Sequence, residues 1–415
     1  MVDWFEALFG FPERGADVQQ VLVVDGDELT SPVNGARYGI GVFGTPSLGE
    51  LRAEVARLAA ARERPAGGAS SFRNVLGDAA KFHGDNPGAT FQVASQFNCL
   101  EFVGPNVVPE DGVAGYAHDR TQGPCCAIAC GPATVYRNYF ANVDGQVGQT
   151  RERQLENLGD VLDALGPVEG FDVRGGYTLA DDRALDLLSE KIGGLDARAY
   201  DDVCAKLRVG VQVGCQVTAL DWGRRLVGDR DHAVTQVFGS ACSVAYSRNA
   251  PAKWKPLASL VLRASYEATL LVAARNALER PDDAAARRVY LTAIGGGVFG
   301  NPLSWIGDAV SRALAAADAL AGVPLDVNLV TYCAPVPRPF LEIAAAREAR
   351  APPPSRKRDR SPAPAPATEA PAAATPPPPP PGGPDVSLEA LKSDAPKPDV
   401  SLAALLAKAR AKAAK

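Results

Sequence analysis

A glycine cluster late in the sequence is the segment best suited to binding a ligand. The segment "GGGVFG", residues 295–300, follows the apolar stretch 289–294, which predicts a buried strand, and precedes an amphipathic helix. Glycine weakens regular elements, so a cluster of this kind needs a reason. One reason is a tight turn. The other is a ligand held by bare backbone N–H groups, most often a phosphate.

This loop lacks the patterns of the two common nucleotide-binding motifs. It has no Lys and no Ser or Thr at the spacing of a triphosphatase P-loop, and its glycines do not have Rossmann spacing. A second polar loop, "SQFN" at 95–98, also follows an apolar strand. Because ligands bind outside the carboxyl ends of parallel strands, we expect both loops to meet at one site.

The elements that position these loops alternate between strands and helices. Ser47 and Glu50 have capping-box spacing at the start of a helix over 47–63, and long apolar helices are predicted over 255–278 and 303–320. Residues 121–140 and most of 150–205 are also predicted to be helical. The apolar segments that predict strands are 18–29, 36–43, 89–102, 209–220, 232–247 and 325–333. Helices around apolar, β-branched strands favour a three-layer α/β/α domain with a mixed sheet.

The composition of the chain changes sharply near residue 350. The stretch "APPPSRKRDRSPAPAPATEAPAAATPPPPPPGG" cannot bury a core, so residues 346–415 are predicted to be a disordered Pro/Ala-rich tail. Two short helical repeats, "PDVSLEALK" and "PDVSLAALLAK", could bind a protein partner or could be drifted low-complexity sequence. The basic run "SRKRDR" could be a nuclear localisation cluster. The rest of the chain has a net negative charge, which does not favour nucleic-acid binding over the surface as a whole.

Cysteine usage indicates a reducing compartment. The eight cysteines fit no disulfide framework and the N-terminus does not resemble a signal peptide, so we expect free thiols in an intracellular protein, cytoplasmic or nuclear. The chain has no run of 18 apolar residues, so no membrane span is predicted. The segment "CCAIAC" could suggest a metal, but small residues packed on a helix are the favoured interpretation. With three histidines, a His-rich metal site is excluded, and no metal or cofactor is expected.

The order of these segments resembles a known family. The succession "YEATLLVAARNA", "VYLTAI", "GGGVFGNP", helix and "LDVNLVTY" resembles the C-terminal half of a macrodomain, and "VLGDAAKFHGDNPGATFQVASQFN" resembles its opening strands and Asn-bearing loop. The resemblance implies a macrodomain-like domain over 70–345, with an insertion at about 140–230. Residues 1–69 are then an N-terminal α/β extension. Macrodomains bind ADP-ribose, and some hydrolyse ADP-ribosyl bonds.

The resemblance also assigns ligand contacts. Asp78 would read the adenine amino group, Phe299 would lie against the ribose, and Tyr332 would stack on adenine. An ordinary turn role for Asp78 and core packing for the two aromatic residues are the alternatives. The full set of implied ligand residues is Asp78, Ala79, Gln96, Asn98, Gly112, Val113, Gly295, Gly296, Gly297, Val298, Phe299, Gly300, Asn301 and Tyr332.

Departures from the family pattern bear on catalysis. The family's Asn-Ala-Ala-Asn is "VASQ" here, Ala114 replaces the acidic residue of hydrolytic members, and the Gln-Glu-Glu of poly(ADP-ribose) glycohydrolases is absent. Hydrolysis needs a group that activates water or protonates the leaving oxygen. The nearest substitutes are Glu101, Glu110, Asp111 and Asp119, which could equally be solvated loop charges.

Three functions follow from the sequence. The first is binding of ADP-ribose, a related nucleotide or an ADP-ribosylated macromolecule through the glycine loop. The second is ADP-ribosyl hydrolysis with Glu101 or Glu110 as acid/base. The third is a non-catalytic interaction scaffold whose tail motifs recruit a protein partner.

Overall fold

The computed structural model describes residues 3–15, 17–62, 68–332 and 335–349. The proline-rich tail, its two repeats, the basic run and Cys333 lie outside the described residues.

Helices occur throughout the described part of the chain. They are α1 (Trp4–Phe9), α2 (Asp17–Val21), α3 (Leu48–Ala60), α4 (Ala79–Asp85), α5 (Gln122–Ala129), α6 (Gly131–Tyr139), α7 (Gly159–Leu165), α8 (Asp182–Gly193), α9 (Ala197–Cys204), α10 (Pro251–Glu279), α11 (Leu303–Ala321) and α12 (Arg338–Glu348). The predicted capping box of α3 is confirmed, because the Ser47 hydroxyl accepts from the Glu50 N–H at 3.2 Å and Glu50 accepts from the Ser47 N–H at 2.7 Å.

Strands separate these helices. They are β1 (Val23–Asp25), β2 (Glu28–Thr30), β3 (Arg37–Gly39), β4 (Val42–Gly44), β5 (Ser71–Leu76), β6 (Thr90–Ala94), β7 (Asn142–Val143), β8 (Gln146–Val147), β9 (Phe171–Arg174), β10 (Tyr177–Ala180), β11 (Gly210–Gln216), β12 (Ala219–Leu220), β13 (Arg225–Leu226), β14 (Ala233–Gly239), β15 (Arg288–Leu291) and β16 (Asp326–Thr331).

Within the described residues, seven strands form one mixed sheet in the order β4-β11-β14-β6-β15-β16-β5. Neighbouring strands from β14 to β5 pair in parallel, whereas β11 is antiparallel to both β14 and β4. The carboxyl ends of the parallel strands therefore lie at one edge, where the loops after β6 and β15 meet.

Helices cover both faces of this sheet. Side chains alternate along each strand, so on β15 Val289 and Leu291 join the core beneath α10 and α11, while Tyr290 joins the core beneath α4 and α5. This arrangement confirms the predicted three-layer α/β/α sandwich with a mixed sheet.

The central helix α10 is apolar on nearly all sides. It is the one helix of the described chain long and apolar enough to cross a membrane by length and composition, and 89% of its apolar window is buried within the protein. Its neighbours are α3, α8, α9 and α11. A helix enclosed by other helices is expected to be hydrophobic all round.

The N-terminal extension and the insertion both contribute to the sheet domain. Strand β4 from residues 1–69 forms one edge of the sheet, and α3 packs on α10. Strand β11, from the 140–230 segment, is an interior strand between β4 and β14. At the other end, α12 runs past residue 345 to Glu348, and its Arg347 forms a buried ion pair with Asp318.

A buried histidine joins α4 to the sheet. The His83 ring is fully buried, stacks on Phe91 with 3.8 Å between ring centroids, and places Nδ1 2.7 Å from the Ala79 carbonyl. The Gln236 amide nitrogen lies 3.1 Å from Nε2. Because the Gln236 amide donates to Nε2, Nδ1 carries the proton and the ring is neutral. Burial lowers the pKa of His83 to about 4, with the Ala79 hydrogen bond opposing.

This lowered pKa predicts acid sensitivity. The unfolded histidine titrates near 6.5, so the stability that His83 contributes is fully present above that pH and is lost as the pH falls through 4. Between pH 7 and pH 4, the free energy of unfolding should fall by about 3 kcal/mol more in the native protein than in His83→Gln, measured by urea denaturation. Parallel pH profiles for the two proteins would contradict the assignment.

Candidate functional site

Two adjoining cavities lie beyond the carboxyl ends of the parallel strands. The first, the glycine-loop cavity, has a volume of about 460 Å³ and is lined by residues after β6, β14 and β15, including Gly295, Gly297 and Val298. The second, the Asp78 cavity, has a volume of about 490 Å³ and is lined by residues after β5 and β16. The two cavities share Thr121, Gln122 and Thr292 as lining residues, so they form one continuous cleft.

The glycine loop is folded back on itself by its own hydrogen bonds. The Gly300 N–H donates to the Gly297 carbonyl at 3.0 Å, and the Asn301 N–H donates to the Gly295 carbonyl at 2.9 Å. Gly295 and Gly300 have φ values of 71° and 72°, which glycine adopts without the cost that a side chain would add. The Asn301 side-chain amide stabilises the loop by donating to the Cys242 carbonyl at 2.8 Å.

Three consecutive N–H groups of this loop are left free. No described residue accepts a hydrogen bond from the backbone N–H of Gly297, Val298 or Phe299, and all three residues line the glycine-loop cavity. Backbone N–H groups are obligatory donors, so three adjacent free ones need water or a ligand. An anion such as a phosphate satisfies them best.

The glycines of the loop serve different purposes. A Cβ atom at Gly296 would lie 3.0 Å from side-chain atoms of both Leu303 and Ile306, so Gly296 faces helix α11 rather than the cavity. The interpretation that Gly296 leaves space for a ligand is thereby corrected: its lack of a side chain permits close packing of the loop on α11. Gly297 differs, since a Cβ there meets nothing within 4 Å.

Aromatic side chains form one wall of the glycine-loop cavity. Phe299 is buried and its ring lies 5.2 Å from Tyr177 and 5.6 Å from Tyr246, centroid to centroid. Phe299 therefore packs in the core, which was the alternative considered from the sequence, and it also lines the cavity. Val298, next to it, is 61% exposed at the cavity mouth.

Asp78 has a structural role and also faces a cavity. Its Oδ1 caps helix α4 by accepting from the Ala80 N–H at 2.7 Å, and it accepts from the Cys125 thiol at 3.3 Å. Asp78, Ala79 and Tyr332 all line the Asp78 cavity, and Tyr332 is 68% exposed there. The structure therefore brings together the residues expected at adenine.

Of the two amide side chains expected at the site from the "SQFN" loop, Gln96 lines a cavity and Asn98 does not. Gln96 lines the glycine-loop cavity, but its amide is already bonded to both the N–H and the carbonyl of Phe102, each at 3.1 Å. Asn98 is fully buried, accepts from the Leu100 N–H at 3.0 Å and donates to Gln154 at 2.8 Å. It does not line either cavity, so the expected ribose contact by Asn98 is corrected to a loop-stabilising role.

The expected role of Gly112 and Val113 as ligand contacts is also corrected. Glu13 accepts hydrogen bonds from the N–H groups of Val113 at 2.9 Å and Ala114 at 2.6 Å, and from the Tyr139 hydroxyl at 2.7 Å. Burial raises the pKa of Glu13, although these donors oppose the shift. The backbone expected near the phosphates is thus engaged by a carboxylate from the N-terminal segment.

Glu101 lines the glycine-loop cavity and belongs to a buried charge network. It accepts from the Ser95 hydroxyl at 2.8 Å and from Arg137 at 3.3 Å, and both charged side chains are fully buried. Arg137 also donates to the Cys99 carbonyl at 3.0 Å and to Gln212 at 3.2 Å. Burial raises the pKa of Glu101, and the Arg137 charge opposes that shift. The carboxylate is thus occupied by hydrogen bonds from Ser95 and Arg137.

Of the other acidic candidates, only Asp119 lines a cavity. Glu110 accepts from the Arg151 N–H at 2.9 Å, and Asp111 accepts from the Val108 N–H at 3.0 Å; neither lines a cavity. Asp119 does line the glycine-loop cavity, where its carboxylate accepts from the Thr121 N–H at 2.9 Å.

The cysteine-rich segment packs as predicted on a buried helix. Cys125, Cys126 and Cys130 are buried beneath the sheet, with Cys125 reaching the Asp78 cavity. Among the described residues, no group of three His, Cys, Asp or Glu side chains is placed to hold a metal ion.

Sequence reasoning missed several cavity residues. Gln122 joins the cavities and binds β6 by accepting from the Ala94 N–H at 2.8 Å. Arg120, Trp222 and Arg224 line the Asp78 cavity. Trp222 and Arg224 come from the β12–β13 turn, within the segment that has no counterpart in the family pattern, and the sequence carries no signal that would place them there.

Comparisons with known proteins give weak likenesses. No protein-family model and no curated protein sequence matches the chain. Among solved structures, the chain is similar to poly(ADP-ribose) glycohydrolase from Thermomonospora curvata, with 14% identity, a TM-score of 0.37 and coverage of 77% of this chain and 93% of that one. It is also similar to the Deinococcus radiodurans glycohydrolase in complex with ADP-ribose, with 13% identity, a TM-score of 0.35 and coverage of 74% and 93%. At these scores the likeness carries no argument about ligand or activity.

The buried ion pair predicts a large stability loss. Arg137→Met should lower the free energy of unfolding by about 3–5 kcal/mol, because it leaves the carboxyl group of Glu101 buried without its partner. Urea denaturation measures this directly. As a matched control, Arg198→Met removes an arginine whose side chain is 92% exposed and should change stability by less than about 1 kcal/mol. Equal, small losses in both variants would contradict the role of the pair.

Proposed function

We propose that this protein binds ADP-ribose, free or attached to a macromolecule, in the cleft formed by the two cavities. The glycine-loop cavity takes the diphosphate and distal ribose, and the Asp78 cavity takes the adenosine. The single observation that carries this proposal is the run of three free N–H groups on the glycine loop.

The loop suits a diphosphate for electrostatic reasons. Gly297, Val298 and Phe299, which carry the free N–H groups, line the cavity. The loop leads into helix α11, whose N-terminus carries partial positive charge. Among the described residues, the charged groups that line the glycine-loop cavity are Glu101 and Asp119, with no lysine or arginine, so the backbone supplies its phosphate-binding groups. Phe299 and Tyr246 provide the apolar surface on which a ribose can lie.

The Asp78 cavity suits a base with an exocyclic amino group. A carboxylate only accepts hydrogen bonds and an amine can donate them, which favours adenine at Asp78. Both described hydrogen bonds to Asp78 end on Oδ1. Oδ2 is therefore the atom available to a ligand. The exposed ring of Tyr332 offers a stacking surface in the same cavity.

Two contacts support binding rather than hydrolysis as the main function. Glu101 lines the glycine-loop cavity but is bonded to Arg137 and Ser95, and Glu110 is held by the Arg151 backbone outside the cleft. Calorimetry with ADP-ribose, AMP and ATP tests the proposal, with ADP-ribose expected to bind most tightly. Release of free ADP-ribose from an ADP-ribosylated protein would instead support the hydrolase. If none of the three nucleotides binds, the interaction scaffold is the remaining candidate function.

Gly297 offers a direct test of the diphosphate site. A side chain at this position meets open space, so Gly297→Glu and Gly297→Gln should both fold with unchanged melting temperature. The two side chains have similar size, but only Glu places a negative charge beside the phosphates. We expect Gly297→Glu to weaken ADP-ribose binding at least about tenfold more than Gly297→Gln, measured by calorimetry.

Comparing the two Gly297 variants separates the effect of a negative charge on binding from the effect of side-chain size. Equal affinities for the Glu and Gln variants and the native protein would mean that the phosphates lie elsewhere. Gly296→Ala serves as a contrast, because its added Cβ faces α11 and should lower the melting temperature.

Asp78→Ser tests base recognition while keeping the helix cap. Serine caps helices nearly as well as aspartate but is too short to reach a base in the cavity. ADP-ribose should bind about 1–3 kcal/mol more weakly, the scale of a hydrogen bond to a charged group. Ribose 5-phosphate, which lacks adenine, should bind equally to both proteins. An equal loss for the two ligands would show that Asp78 acts by holding the loop.

A further inference from the structure

A strained turn forms part of the Asp78 cavity. Between β12 and β13, Asp221 and Trp222 have φ values of 48° and 55°, followed by Gly223 at 82°. A left-handed conformation is unusual for a residue as bulky as tryptophan and costs about 1 kcal/mol or more. Such strain persists only where the surrounding structure imposes it.

The N-terminal helix imposes this conformation. A Cβ atom at Gly223 would lie 2.5 Å from the Trp4 Cβ and 3.3 Å from Ile128, so the turn is pressed against α1 and α5. Trp4 is itself buried and donates from Nε1 to the Ala114 carbonyl at 3.2 Å. The position of the turn is therefore fixed before any ligand binds.

Two cationic side chains, Arg224 of the turn and Arg120 of the segment before α5, line the cavity. Trp222 and Arg224 line the Asp78 cavity, and the Arg120 guanidinium lies 4.9 Å from the centroid of the Trp222 ring. This cation–π contact holds Arg120 at the same rim. Both arginines are exposed, and neither forms an ion pair with a carboxylate of the described residues. The acidic lining groups are Asp78, which caps α4, and Asp221.

We propose that Arg120 and Arg224 form a binding site for a phosphate on the adenosine ribose of the ligand. This inference rests on the proposed function, which puts adenosine in this cavity and the diphosphate at the glycine loop. A neutral adenine does not require two guanidinium groups, whereas a phosphomonoester matches their planar donors. The preferred ligand is then a 2′- or 3′-phosphorylated ADP-ribose.

Calorimetry of the full chain tests this site with three ligands. ADP-ribose 2′-phosphate or ADP-ribose 3′-phosphate should bind roughly three- to tenfold more tightly than ADP-ribose, and the ratio should shrink as salt is raised. Arg224→Gln should reduce that ratio toward one. Arg225→Gln is the matched control, because Arg225 is an exposed neighbour in β13 that does not line the cavity, and it should leave the ratio unchanged.

Each outcome decides between the two proposals. If ADP-ribose binds and neither phosphorylated isomer binds more tightly, the phosphate site is wrong and the proposed function stands. A preference that persists unchanged in both Arg224→Gln and Arg120→Gln also overturns the phosphate site. If none of the three ligands binds, both proposals fail. Melting temperatures of the exposed-arginine variants should match that of the native protein, which keeps the comparison valid.

Discussion

The arrangement of the cleft depends on the buried ion pair between Glu101 and Arg137. Arg137 reaches the loop after β6 through Glu101 and Cys99, reaches β11 through Gln212, and stacks on Phe238 of β14 with 3.8 Å to the ring centroid. Charges removed from water are tolerated only when their hydrogen bonds are satisfied. The loop after β6 therefore has one favoured position, and that position forms a wall of the glycine-loop cavity.

Much of the fold could be predicted because its main elements have strong local signals. The capping box of α3 and the apolar length of α10 are such signals. Two shorter segments were predicted wrongly. Residues 18–21 form the helix α2, in which Val18 and Val21 are buried at helical spacing, although a strand was expected. Strands β9 and β10 form a hairpin in a segment predicted to be mostly helical, and the turn Gly175–Gly176 between them was the available signal.

The candidate site was predictable where its residues follow strands and not where they depend on distant partners. Asp78, Tyr332 and the glycine loop meet because the carboxyl ends of parallel strands share one edge. The Val113 segment does not join them, since Glu13, 100 residues away in sequence, accepts its N–H. No local pattern marks such a pair. The Trp222 turn was missed for the same reason, because its packing on α1 joins distant parts of the chain.

The pairing of β5 with β16 has a consequence for synthesis in the cell. Strand β5 lies at the sheet edge and pairs there with β16 alone, and Ser71 and Asp326 are separated by 255 residues. At ordinary translation rates this separation corresponds to roughly 10–50 s of elongation. Throughout that interval, β5 has no strand beside it in the nascent chain. The sheet can close only when nearly all of the described sequence has left the ribosome, so a chaperone has a long window in which to bind.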